Sequence, residues 1–170
     1  MDPAFAGITT FCENPRITPR GRDVFPGKGY DETKVGDTFS TSLTVTDAHL
    51  VLAAGLFGDF NPLHVDDTHA QKSRLGGRVL HGAFTSALIA APAGMYFHTT
   101  AIGYLEHNCR FLAPVHPGDT LKTTWTIVER LDKPQHDGGI AAMKATCTNQ
   151  HGTVVAEADG KMLVMNKREV

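Results

Sequence analysis

A chain of 170 residues has the length of a single domain and is long enough to enclose one hydrophobic core. Its 41% hydrophobic and 20% charged residues are the balance of an ordinary globular protein, which excludes a disordered or fibrous chain. A formal net charge of −2, with no clustering of Lys and Arg, gives no electrostatic basis for binding nucleic acid.

Three cysteines, Cys12, Cys109 and Cys147, are odd in number and lie far apart, without a CxxC pair. Neither a disulfide framework nor a cysteine zinc site is expected, and the thiols read as those of a reduced, cytoplasmic protein. The most apolar stretch, 83–95, is interrupted by Thr85, Ser86, Pro92 and Gly94 and is too short to cross a bilayer. The first residues lack a basic region followed by an apolar run, so no secretory signal is expected.

Taken in chain order, residues 1–36 hold Pro3, Pro15, Pro19, Gly21, Pro26, Gly27 and Gly29 and show no sustained period. They read as an irregular arm draped over a domain formed by residues 37–170. Residues 38–45 are rich in Thr, Ser and β-branched side chains and form the first predicted strand. Thr46 or Asp47 then caps a helix to about Leu56, with Leu50, Val51, Ala54 and Phe57 on one face. A turn follows, and a short helix starts at Asp67 or Thr68 and runs through Lys72. A longer one starts near Gly82 and reaches about Ala91, where Pro92 and Gly94 should end it. Small and apolar residues almost all round that helix mark it as buried. Strands are predicted at 102–111, 121–131, 140–149 and 153–165, the last of them joined as antiparallel hairpins. The fold class is therefore α+β, an antiparallel sheet packed on one central apolar helix.

The turn before His64 carries the chemistry. Gly58-Asp59-Phe60-Asn61-Pro62-Leu63-His64 cannot be continuous helix, because Pro62 lacks an N–H and pushes Asn61 out of the α region. A rigid turn presenting Asp59 and His64 together suits an acid/base pair sharing one water. Asn61 would fix the turn or hydrogen-bond that water. Val79-Leu80-His81-Gly82 opens the apolar helix, and the free N–H of Gly82 at a helix N-terminus suits a developing oxyanion. Glycine also lets a flat ligand approach the backbone closely. His81 and Phe84 are candidate pocket residues. His64, His69, Asp66, Asp67 and His81 lack a metal-site spacing, so no metal is expected. Lys72, Arg74 and Arg78 flank the same segment.

These two segments closely resemble the MaoC-like, (R)-specific enoyl-CoA hydratases, the hydratase 2 group with the hot-dog fold. The resemblance extends to Lys34-Val35-Gly36-Asp37, to Phe111-Leu112-Ala113-Pro114-Val115 and to Pro117-Gly118-Asp119-Thr120, and so covers nearly everything after residue 30. It implies that Asp59 and His64 are the catalytic pair, that Asn61 supports the water, and that the Gly82 N–H forms the oxyanion hole. It further implies homodimers with sheets joined edge to edge, and acyl-CoA substrates near that interface, without metal or redox cofactor. Family members often carry a serine in the central helix, for which Thr85-Ser86 lies nearby without a fixed register. The expected reaction is syn hydration of a trans-2-enoyl-CoA to the (R)-3-hydroxyacyl-CoA. The rivals are dehydration of branched or dicarboxylic hydroxyacyl-CoA or of acyl carrier protein thioesters, and a non-catalytic acyl-thioester-binding protein. A thioesterase on the same fold ranks behind these.

Overall fold

Alternating burial along three long strands builds the body of the molecule. The computed structural model describes residues 27–167. In chain order its elements are β1 (Thr38–Thr44), α1 (Asp47–Phe57), α2 (Pro62–Val65), α3 (Asp67–Lys72), α4 (Gly82–Tyr96), β2 (Ala101–Phe111), β3 (Thr120–Lys133), β4 (Gly138–Thr148) and β5 (Val154–Met165). Single 3₁₀ turns cover Tyr30–Glu32 and Pro134–His136. The five strands form one antiparallel sheet in the order β1-β3-β4-β5-β2.

Leu121, Thr123, Trp125 and Ile127 of β3 are buried in a strict two-residue period. Ala141, Met143, Ala145 and Cys147 of β4, and Ala156, Ala158, Met162 and Val164 of β5, continue that face. Against it lies α4, which buries Thr85, Ile89, Pro92 and Ala93, with Phe97 just beyond its end. This is the helix-in-sheet arrangement expected of a hot-dog domain. The shared core joins Val45, Leu50, Leu80, Ile89, Phe97 and Trp125 to the sheet residues.

Three expectations need correction. Pro92 does not end the helix, which runs on to Tyr96. A proline deprives the preceding turn of a donor, and here the Trp125 indole N–H donates to the Ile89 carbonyl at 2.8 Å. The carbonyl that loses its helical donor to Pro92 is that of Leu88, so the Trp125 bond ties the helix to the sheet rather than replacing the missing one. Nor is the helix buried all round in the single chain: Ala83, Ala87, Ala91 and Gly94 are exposed. Finally, α1 turns Leu50, Ala53 and Ala54 inward, whereas Val51 is 67% exposed and Phe57 47%. Apolar residues occur on every side of α1, so its period alone does not single out the inner face.

Residues 27–36 pack on the domain. The Tyr30 side chain is buried, its hydroxyl donates to Asp132 Oδ1 at 2.7 Å, and the Arg130 guanidinium lies 4.1 Å from its ring centre. Gly139 leaves room for that ring, which a Cβ would strike. The Lys28 N–H donates to the Tyr96 carbonyl at 2.9 Å, tying this segment to the end of α4. Cys109 and Cys147 carry free thiols whose titration is raised by burial. Cys12 and the earlier part of the arm lie outside the described residues. Among the described residues, no helix is long and apolar enough to cross a membrane.

Candidate active site

Helix α1 stops at Gly58, whose φ of 69° lies in the left-handed region that glycine tolerates. Asp59 follows, and its Oδ1 accepts the Asn61 N–H at 3.2 Å, while Asn61 Oδ1 caps α2 by accepting the Leu63 N–H at 3.0 Å. Pro62 fills the first helical position, where its missing N–H costs nothing. These local bonds place His64 on α2 facing back toward Asp59. The His64 ring donates Nδ1–H to the Val79 carbonyl at 2.7 Å, since a carbonyl only accepts. Nε2 is then the nitrogen turned to Asp59, 3.7 Å from Oδ2. That gap is too long for a direct hydrogen bond and short enough for one water to touch both groups.

The segment after the short helices is held on both sides. Val79 N–H donates to the Leu63 carbonyl at 3.1 Å and Leu80 N–H to the Val115 carbonyl at 2.8 Å. His81 remains extended, and α4 starts at Gly82. As a first-turn amide, Gly82 N–H has no helical carbonyl to donate to. A Cβ at Gly82 would lie 3.2 Å from the Phe111 ring, so glycine here permits a close approach of backbone and ring.

His64 and Gly82 line the same cavity of about 410 Å³, with Thr85, Phe111, Leu112 and Val115 among its walls. That volume falls in the range of small-molecule sites, and the lining is mostly apolar. Asp59 and Asn61 are not among the residues lining this cavity; the Asp59 side chain is 52% exposed, against 14% for His64.

The structure therefore brings Asp59, Asn61 and His64 together on one turn, and His64 and Gly82 onto one cavity. His81 and Phe84 do not line this cavity. His81 is 2% exposed, stacked on His64 with ring centres 3.7 Å apart. Phe84 packs edge-on against His49 and Phe57. Of the Thr85-Ser86 pair it is Thr85 that lines the cavity, while sequence reasoning missed Leu75 and Leu80 as walls. Thr85 sits three positions after Gly82, on the same helix side, which is a usable signal; Leu75 lies in a loop and gives none.

Donor atoms of Asp59, His64 and His81 lie within 4.8 Å of one another. His81 Nε2 donates its proton to the Asp59 carbonyl at 2.9 Å, which suits a hydrogen-bonded cluster rather than a ligand set. His69 is exposed, and Asp66 caps α3 by accepting the His69 N–H. Arg78 is held by Asp67 at 2.6 Å and Asp47 at 2.7 Å, while Lys72 and Arg74 are exposed.

Ser86 takes no part in this site. Its hydroxyl meets His107 Nε2 at 2.8 Å, and His107 Nδ1 meets the Tyr104 hydroxyl at 2.9 Å. Tyr104 and His107 are three residues apart, which regular alternation would put on opposite faces of β2. An irregularity between Tyr104 and Glu106 brings both to the side facing α4. Gly160 opposite leaves space for Tyr104 and Trp125.

A sheet wrapped on one helix, with an Asp/His turn beside the helix N-terminus, defines a class of hot-dog dehydratases. The chain belongs to the MaoC-like domain family, whose model matches residues 31–149. It is 29% identical to an (R)-specific enoyl-CoA hydratase of Rhodospirillum rubrum over 79% of this chain and 90% of that protein. A 3-hydroxybutyryl-CoA dehydratase of Methylorubrum extorquens is 27% identical over 79% of this chain and 82% of its own. The unliganded R-hydratase PhaJ1 of Pseudomonas aeruginosa superimposes with a TM-score of 0.73 at 28% identity, covering 84% of this chain and 90% of that one.

Proposed function

We propose that this protein is a hydro-lyase that adds water reversibly, in syn fashion, to a trans-2-enoyl-CoA to give the (R)-3-hydroxyacyl-CoA. The observation that carries this reading is the Asp59 carboxylate 3.7 Å from His64 Nε2, with His64 and Gly82 walling one cavity. A water gripped between carboxylate and imidazole adds its oxygen to C3 of the enoyl group. One member of the pair takes the water's proton, and the pair returns a proton to C2 on the same face. Gly82 N–H, with the positive end of α4 behind it, stabilises the enolate oxygen that forms on the thioester carbonyl. Val79 fixes which nitrogen of His64 takes part, and Asn61 holds the turn that carries both groups. The relatives named for enoyl-CoA hydration and 3-hydroxybutyryl-CoA dehydration act on the two ends of one equilibrium, which supports the same chemistry here. No metal or redox cofactor takes part, and the working place is the cytoplasm.

The working form is a homodimer joined through β2. The two sheet edges differ: β1 is mostly Thr and Ser, while β2 exposes Ile102, Tyr104, Leu105 and Phe111. An apolar unpaired edge is the one that a second copy would cover.

The test is loss of the conjugated-thioester absorbance of crotonyl-CoA, followed by chiral analysis of the product. Accumulation of (R)-3-hydroxybutyryl-CoA is expected. Accumulation of the (S) product would overturn the stereochemical assignment. Thermal stabilisation by the thioester without turnover would favour a binding protein.

A further inference from the structure

We propose that His81 is a positioning residue: its Nε2–H bond to the Asp59 main-chain carbonyl holds the catalytic turn in register with the Gly82 amide. This rests on the hydratase reading for its kinetic consequence, while the structural link stands without it.

Three contacts converge on this one side chain. Its Nε2 donates to the Asp59 carbonyl at 2.9 Å across a sequence separation of 22. Its ring lies flat on His64, with centres 3.7 Å apart and planes 25° from parallel. Its backbone immediately precedes Gly82, and its carbonyl accepts both the Thr85 N–H at 2.9 Å and the Thr85 hydroxyl at 3.2 Å, pinning the first turn of α4. Asp59 and His64 share one turn while Gly82 comes from a separate stretch of chain, and His81 touches or adjoins all three. Being almost wholly buried, it keeps its position without help from solvent.

The burial also has a cost that bears on the role. Nδ1 is buried with no hydrogen-bond partner. A leucine or phenylalanine would fill such a site without leaving a lone pair unsatisfied. What only a donor-bearing side chain supplies is the bond to Asp59. Without it, the turn is anchored through its own short-range bonds and those of His64. Small displacements of reacting groups are expensive in catalysis, since about 1 Å is worth roughly 10²-fold in rate.

Two variants separate the donor from the packing. His81→Phe keeps a flat ring on His64 and loses the donor, whereas His81→Gln keeps a donor at the Nε2 level and loses the ring. Crotonyl-CoA kinetics are measured alongside Tm and amide hydrogen exchange at Asn61 and Leu63, whose N–H groups report the turn. For His81→Phe we expect kcat to fall by about 10- to 100-fold with KM little changed, and exchange at the two amides to rise about tenfold. His81→Gln should recover most of both. Normal kcat and normal exchange in His81→Phe would overturn the proposal, as would equal damage in both variants with equal loss of Tm. A wild-type protein that fails to hydrate crotonyl-CoA would count against the hydratase reading alone, because the exchange comparison still decides the positioning role.

Discussion

Two histidines lie against the first turns of α4 in opposite hydrogen-bonding circumstances. His107 has both ring nitrogens engaged by side chains, at 2.8 Å to Ser86 and 2.9 Å to Tyr104. His64 has one nitrogen fixed by the Val79 carbonyl, while the other faces a carboxylate across 3.7 Å at the wall of a cavity. The first arrangement is complete and half-buried, with nothing left over for a ligand. The second is incomplete in the direction where a water and a substrate would enter. A Ser–His contact is the more familiar catalytic signature, yet chemistry belongs where the hydrogen bonding has been left open.

The sharpest way to break this contrast is to disable the open pair. Asp59→Asn and His64→Gln should each lower kcat for crotonyl-CoA hydration by about 10²–10⁴-fold. Tm should barely move for Asp59→Asn, whose side chain is more than half exposed. Near-normal turnover in both variants would remove these residues from the mechanism.

Gly82→Ala should give the next largest effect. The added methyl would meet the Phe111 ring at 3.2 Å and crowd the cavity wall, but no left-handed backbone is involved, so the fold should persist. A drop of about tenfold or more in kcat/KM is expected, in line with one methylene's worth of pocket discrimination. Wild-type kinetics would show that the thioester does not approach this amide.

The closed cluster should affect stability rather than turnover. His107→Leu removes the part-buried Ser86 bond and the exposed Tyr104 one, at a cost of about 1 kcal/mol, a Tm loss of a few degrees, with kcat unchanged. Its pH behaviour sharpens the point. Burial holds the His107 imidazole below its ordinary range. The groups facing it offer no negative charge: the Tyr104 phenol is pushed up to about 12 and the Cys109 thiol is raised, both by burial, while Ser86 and Trp125 do not ionise. Below about pH 6.5 the unfolded chain binds a proton at this residue that the folded chain resists. This contribution is therefore fully present above that pH and is lost as pH falls through the folded value. His107→Leu should flatten the Tm profile between pH 5 and 7 relative to wild type. A large loss of kcat would instead draw His107 into the active site.

Arg78→Ala should have the smallest effect. Its ion pairs with Asp47 and Asp67 are made to largely exposed carboxylates, so about 0.2–1 kcal/mol of stability is at stake. A marked rise in KM for the coenzyme A ester, with Tm unchanged, would assign Arg78 to substrate binding.

The strands and the Asp59–His64 turn were legible because their signals are local. Thr123, Trp125 and Ile127 alternate as a half-buried strand must, and the Asn61-Pro62 pair dictates a break wherever it occurs. What escaped was tertiary. Nothing near Pro92 announces that the helix continues past it to Tyr96, nor that Trp125, on another element, bonds to the Ile89 carbonyl. Nothing in the spacing of Tyr104 and His107 reveals the strand irregularity that puts both on one face. The exposed sides of α1 and α4 were hidden for a related reason: an apolar residue signals burial without saying whether its own chain or another covers it. Within the candidate site, the Asp/His pair was visible as a motif. Thr85, which lines the cavity, and His81, which links the pieces, show their roles only once the segments are brought together.

The Tyr30 anchor bears on where this molecule can be cut. The family match begins at residue 31 and stops at 149, yet Tyr30 fills a slot over Gly139, and β5 lies between β4 and β2. A fragment trimmed to the matched span would shed a core ring and an interior strand, leaving β2 with no neighbour to pair with. The smallest piece that keeps its own scaffolding must therefore include Lys28 and Tyr30 at one end and reach Met165 at the other, wider at both ends than the matched span suggests.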